Sequence, residues 1–273
     1  MPDEPDENIS GGGSGGGRPA SFDAATAGTR AEAVIDALGE RYWQKAYGGQ
    51  AAFECLVRTI LSQNTSDKAS QPAHDALMNR YGSGTDGADG EPGLVAALAD
   101  AEQSTLAETI SGAGLYNQKS EVIIDAAEEI RAEFGSATEF DAFVKDESPS
   151  VVRERLLEIH GVGPKTADCV LLFSGGRGGV FPVDTHVHRI ARRMGLADPE
   201  ADHEAVRAAL EDSVPADKCG FGHTAMIQFG REYCTARKPA CLDGPEACPL
   251  YDLCDRVGVD EIDERVADPA ETV

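Results

Sequence analysis

The sequence predicts an all-α protein, on three observations. Apolar residues recur at spacings of one, three and four through most of the chain. Glycine-rich breaks at 82–93 and 174–179 punctuate these runs. Almost no stretch alternates with period two, and VFPV at 180–183 is one short extended candidate. The 273 residues, 41% of them apolar, suffice for one large or two moderate domains.

Residues 1–29 are acidic and glycine-rich, with GGGSGGG at 11–17, and are expected to form a disordered tail. A helix is expected over 30–47, where Ala33, Val34, Ala37, Leu38 and Tyr42 share one face. Residues 51–62 repeat the pattern with Phe53, Leu56, Val57, Ile60 and Leu61. Further helices are expected at 68–81, 94–99, 104–111, 117–134, 149–159, 164–174, 185–194, 201–213 and 218–230. Residues 255–273 hold seven acids and two arginines and are expected to be a second acidic tail.

Acids outnumber bases 48 to 24, for a net charge of −24. That balance ordinarily argues against nucleic acid. With only seven lysines, it resembles proteins of salt-loving organisms. At molar salt the Debye length falls to ~3 Å, so local charge matters more than the total. The most basic stretch is 177–193, with Arg177, Arg189, Arg192 and Arg193 against Asp184 alone. No run of about 18 apolar residues is present, so no membrane span is expected. The first ten residues lack the charge and apolar pattern of a secretory signal, so a cytoplasmic location with reduced thiols is expected.

The sharpest local feature is LLEIHGVGPKTADCVLLF at 156–173. A helix ends near His160, Gly161-Val162-Gly163 makes a tight turn, and Pro164 opens a second helix at the position where its missing N–H costs nothing. This reads as a helix-hairpin-helix whose backbone N–H groups suit a DNA phosphate. GVG alone is equally consistent with an ordinary helical hairpin. Lys165 follows Pro164, and Asp184 precedes THVHRI, where its first role is an N-cap. Downstream, Cys234, Cys241, Cys248 and Cys254 are spaced C-x6-C-x6-C-x5-C. Four thiols in 21 residues suit metal ligation, by an iron–sulfur cluster or by zinc. Cys55 and Cys169 sit in apolar helices and read as core, as does Cys219. His186 and His188, at i and i+2, face different sides of a helix and read as structural or phosphate-facing.

These residues together resemble the endonuclease III family of helix-hairpin-helix DNA glycosylases. The matching segments are LSQNTSD (61–67), GLYNQK (114–119), GVGPKTA (161–167), VDTH (183–186) and RxxCxARKPxC (231–241). The resemblance implies a six-helix barrel from 49 to 178 and a cluster domain combining 30–48 with 179–254. It places Lys165 at the family's catalytic lysine and Asp184 at its catalytic aspartate. Asn64 and Leu115 fall where the family inserts side chains into opened duplex. Gly161, Val162, Gly163, Arg189 and Arg193 are the further candidate DNA contacts, and Arg231, Arg237 and Lys238 give the cysteine segment a positive edge. The four cysteines are implied to hold a 4Fe–4S cluster, although LDGPEA lengthens the middle interval by four residues and is expected to bulge outward. The implied activity is removal of oxidised pyrimidines from duplex DNA, followed by abasic-site cleavage, by a monomer. A thymine or uracil mismatch glycosylase and a catalytically silent DNA-binding protein are the alternatives. An adenine glycosylase is disfavoured, because Arg58 stands where those relatives carry glutamate.

Overall fold

The computed structural model describes residues 21–42, 48–82 and 93–272. Chain contacts divide them into two units, one formed by 48–177 and the other by 21–42 with 178–272. The helical expectation over 43–47 and residues 1–20 of the expected tail lie outside the described residues. Residues 21–29 depart from that tail, because Phe22 packs on Phe221 with ring centroids 4.6 Å apart and Thr29 caps the first helix.

Residues 48–177 hold eight α-helices among the described residues. To number them through the whole chain, α1 (Arg30–Gly39) belongs to the other unit, followed here by α2 (Ala52–Ser62), α3 (Asp67–Tyr81), α4 (Leu94–Ala99) and α5 (Gln103–Thr109). Then come α6 (Tyr116–Phe134), α7 (Ala137–Asp146), α8 (Pro149–Glu158) and α9 (Pro164–Phe173). Helix α2 is buried on nearly every side, from Ala52 and Phe53 through Leu61, because α3, α6, α7 and α9 all pack on it. Helix α9 is likewise buried from Thr166 to Phe173. The hairpin of α8 and α9 is therefore held by a central helix rather than a surface one.

Helix α7 was absent from the periodicity reading. Its start carries a Ser-x-x-Glu sequence, and the Ser136 hydroxyl accepts the Glu139 N–H at 3.2 Å. Only Phe140 and Val144, one turn apart, are buried, which is too narrow a stripe to stand out.

The other unit packs α12 (Cys219–Glu232) against α1 and α10 (Thr185–Met194), with α11 (His203–Ser213) beside them. Lys218 donates at 2.7 Å to both Glu32 and Asp36 of α1, pinning it to the start of α12. The cysteine segment follows in short 3-10 turns. Residues 255–272 differ from the tail expected of them: β1 (Val259–Asp260) pairs antiparallel with β2 (Arg265–Val266), and Arg192 binds Asp268. Backbone bonds from Val257 to Arg193 (2.9 Å) and from Ala267 to Gly258 (2.8 Å) tie the segment down. Main-chain pairing and ion pairs such as Arg192–Asp268, Arg30–Asp255 and Arg256–Glu261, rather than apolar content, order this piece, so composition concealed it.

Candidate active site and cysteine cluster

In residues 48–177 the hairpin turn has Gly161 at φ +78°, and a Cβ there would lie 2.7 Å from both methyls of Val122. Glycine is thus required by backbone and by space. Gly163 is the N-cap of α9 and supplies no capping side chain, and a Cβ there would meet nothing within 4 Å. The start of α9 is thus open beside its backbone, which suits an approaching anion. Val162 does not fit the role expected of it. Its side chain is buried and its N–H donates to the Ile159 carbonyl at 3.0 Å, so it anchors the turn. Lys165, in the first turn of α9, is half-buried.

Two further loops reach this region through hydrogen bonds. Gln63 donates to the Gly161 carbonyl at 3.2 Å and to the Thr166 hydroxyl at 3.1 Å, joining the end of α2 to the hairpin. The adjacent Asn64 is exposed with φ +52°, a left-handed conformation that asparagine tolerates. Leu115 is 56% exposed at φ +47°, which costs a leucine about 1–2 kcal/mol. An apolar side chain held outward on a strained backbone is a candidate for function. The Lys119 ammonium donates to Leu61 O (2.7 Å), Thr65 Oγ1 (2.7 Å) and Ala113 O (2.9 Å), and Thr65 also bonds Ala113. Burial lowers the Lys119 pKa to about 8. Gln63, Thr65 and Lys119 all fall inside the quoted motifs, but their partners are mostly carbonyls and a hydroxyl, which sequence does not reveal.

In the other unit Asp184 is the N-cap of α10: its Oδ1 accepts from His186 N (2.9 Å) and Val187 N (2.8 Å). Its second oxygen has no part in that cap. His188 stacks on His203 with centroids 4.1 Å apart and bonds the Ala201 carbonyl at 2.9 Å, a structural role.

The arginines expected to meet DNA turn inward instead. Arg193 is 2% exposed; its guanidinium reaches Cys234 Sγ (3.4 Å), Thr235 O (2.8 Å) and Ala236 O (3.2 Å). Arg189 is half-buried and donates to the Cys234 carbonyl at 3.2 and 2.9 Å. Arg192 binds Pro199 O and Asp268. Within residues 48–177, Arg177 donates to the Lys145 carbonyl and, at 2.7 Å, to that of Glu147. The carbonyls at the ends of helices and loops need donors, and a guanidinium offers five. Arg237 and Lys238 are exposed.

Cys234 and Cys241 are buried, and Cys248 and Cys254 half-buried. Burial first, then the neighbouring cysteines, push the Cys241 thiol up to about 11 and that of Cys254 to about 12. Four thiols that feel one another's charge, beside a guanidinium and the Arg256 N–H (3.3 Å from Cys254 Sγ), fit an anionic thiolate-bound centre whose binding releases the protons. The LDGPEA insertion forms two 3-10 turns joined by Gly244 at φ +108°, and a Cβ on Gly244 would meet nothing within 4 Å. Cys219 bonds the Val214 and Pro215 carbonyls and belongs to the core.

Fold, hairpin and cysteine loop define a class. Residues 57–216 match the HhH-GPD superfamily of base excision DNA repair proteins, and 234–254 match the iron–sulfur binding domain of endonuclease III. The endonuclease III of Thermotoga maritima is 31% identical over 203 residues, covering 74% of this chain and 82% of the relative. That of Treponema pallidum is 31% identical over 216 residues, covering 79% and 86%. A solved structure described as a trapped endonuclease III–DNA covalent intermediate shares the fold, with a TM-score of 0.65 at 23% identity over 81% of this chain and 92% of that one. The chain belongs to the endonuclease III family. It is accordingly a base excision repair DNA glycosylase with a [4Fe–4S] cluster in the 234–254 segment. No helix among the described residues is long and apolar enough to cross a membrane.

Proposed function

We propose that this glycosylase is also an abasic-site lyase, acting as a monomer on oxidised pyrimidines in duplex DNA, with Lys165 as nucleophile and Asp184 as its carboxylate partner. The observation that carries the reading is the half-buried Lys165 in the first turn of α9, two residues after the N-cap Gly163, which offers no capping side chain. A phosphate bound at Gly161 and Gly163 sets the backbone register. Asn64 and Leu115 enter the duplex, where unstacking a damaged nucleotide costs a few kcal/mol.

The Lys165 amine, once deprotonated, attacks C1′ as the C1′–N bond to the base breaks, and the base departs with the bonding electrons and takes up a proton. Ring opening gives an imine between Nζ and C1′. Loss of a C2′ proton then expels the 3′ phosphate, and water releases the lysine. Asp184, fixed by its two backbone bonds, keeps an oxygen outside the cap to stabilise positive charge at C1′. Cys234, Cys241, Cys248 and Cys254 would hold the cluster, which when bound cross-links the loop that carries Arg237 and Lys238. Those two exposed cations face phosphates in place of Arg189 and Arg193.

The test is a panel of duplexes carrying thymine glycol, G·T, G·U, A·8-oxoguanine or an abasic site. Cleavage of the thymine glycol and abasic duplexes is expected. Preferential release of thymine from G·T would overturn the substrate assignment, and base release with no strand nick would overturn the lyase.

A further inference from the structure

We propose that Lys119 is the positioning residue of the duplex-entering side chains: its buried ammonium couples the Asn64 loop to the Leu115 loop so that the two act as one wedge. This rests on the function proposed above. Lys119 itself lies in the fourth position of α6, is 4% exposed and touches no DNA in this scheme.

Its placement is energetically unfavourable on two counts. A buried ammonium loses its hydration, and a cation near a helix N-terminus opposes the helix dipole. Offsetting both are the three short bonds, to the last turn of α2, to the loop after Asn64 and to the residue two before Leu115. Three acceptors match the three protons of an ammonium, and with a pKa of about 8 it carries all three at neutral pH. None of these three partners is a carboxylate, so the contact is geometric, three directed bonds at 2.7–2.9 Å, one to the last turn of α2 and one to each of the two loops.

What those loops have in common is left-handed backbone, tolerated by Asn64 and strained at Leu115. Asn64 and Leu115 each sit in the left-handed region, and Gly114 precedes Leu115 at φ +62°. Backbone of this kind persists only when its surroundings over-determine it. The tie to Ala113 O precedes Gly114 directly, and the tie to Thr65 follows Asn64 directly, so one side chain holds both left-handed turns. Releasing it frees each loop to relax toward ordinary dihedrals, and the outward side chains lose their common register. A purely apolar residue could fill the space, but it would satisfy none of the three acceptors.

The experiment uses the full-length, cluster-loaded protein and borohydride trapping on the same abasic site in duplex and in single-stranded DNA. A wedge is needed to open a duplex and has nothing to open in a single strand. Lys119→Met is expected to lower the duplex trapping rate at least tenfold more than the single-strand rate. In a Leu115→Ala background the further loss from Lys119→Met is expected to be under threefold, since the wedge is already disabled. Equal losses on both substrates, or fully multiplying losses in the double variant, would overturn the coupling. Should Lys119→Met lose its cluster absorbance, Thr65→Val, which keeps the ammonium but removes its tie to the Asn64 loop together with the Thr65–Ala113 bond between the two loops, tests the coupling instead: a duplex-selective loss supports the proposal and an unselective one refutes it. If the unmodified protein traps neither substrate, the lyase assignment itself fails, an outcome distinct from both.

Discussion

The turn at 160–165 and the stretch at 177–193 reverse the roles their charges suggest. The turn holds one lysine and is otherwise glycine, valine, proline and histidine, yet it presents the backbone and the Lys165 that the proposed chemistry requires. The stretch holds four arginines, and all four reach carbonyls, a thiol or a carboxylate of the protein itself. The cationic sequence is internal scaffolding, and the nearly neutral turn is the reactive surface of the proposed mechanism. Charge in a sequence is therefore not charge on a surface, and a guanidinium's partner decides between them.

That contrast can be broken by substitution. The largest effect is expected from Asp184→Asn, which retains an N-cap of nearly equal quality but removes the negative charge. Base release should fall at least a hundredfold while the melting temperature moves by only about 2 °C, as read by single-turnover kinetics and thermal unfolding. A parallel collapse of stability would return Asp184 to a capping role alone.

Gly161→Ala comes next. Positive φ costs about 1–2 kcal/mol and the contact with Val122 adds to it. Affinity for duplex DNA should drop about tenfold by anisotropy. Unchanged affinity would show that the hairpin turn does not meet the phosphates.

Arg193→Met should act on the cluster loop instead. Removing a buried donor from Thr235 O and Ala236 O costs about 1–3 kcal/mol. Cluster absorbance near 400 nm should bleach faster in air, and the salt dependence of DNA binding should stay as it was. The smallest effect is expected from Lys238→Ala or Arg237→Ala, each lowering the slope of log affinity against log salt by about one. A change of slope in Arg193→Met and none in Lys238→Ala would invert the comparison.

How much of this was legible in the sequence differs by element. Helix α10 was read to its ends, because Asp184 caps one and Gly195, at φ +71°, closes the other. Helix α7 was missed although its Ser136–Glu139 capping signal was present, since two buried residues make a weak stripe. The 259–266 hairpin was hidden because register, not apolar content, forms it. The four cysteines stood out by their spacing, whereas Lys165 and Asp184 were singled out by the family resemblance of the motifs that hold them. Lys119 and the inward arginines did not, because main-chain oxygens that occur at every position provide most of their acceptors, and only the fold selects which ones.

The central claim is that a turn carrying almost no charge delivers one reactive amine. Borohydride trapping of an abasic duplex by Lys165→Gln tests it most directly. A covalent protein–DNA adduct is expected with the unmodified chain and none with the variant, whose duplex affinity should stay within about threefold because the backbone contacts remain. An undiminished adduct with Lys165→Gln would move the chemistry to another amine and contradict the account.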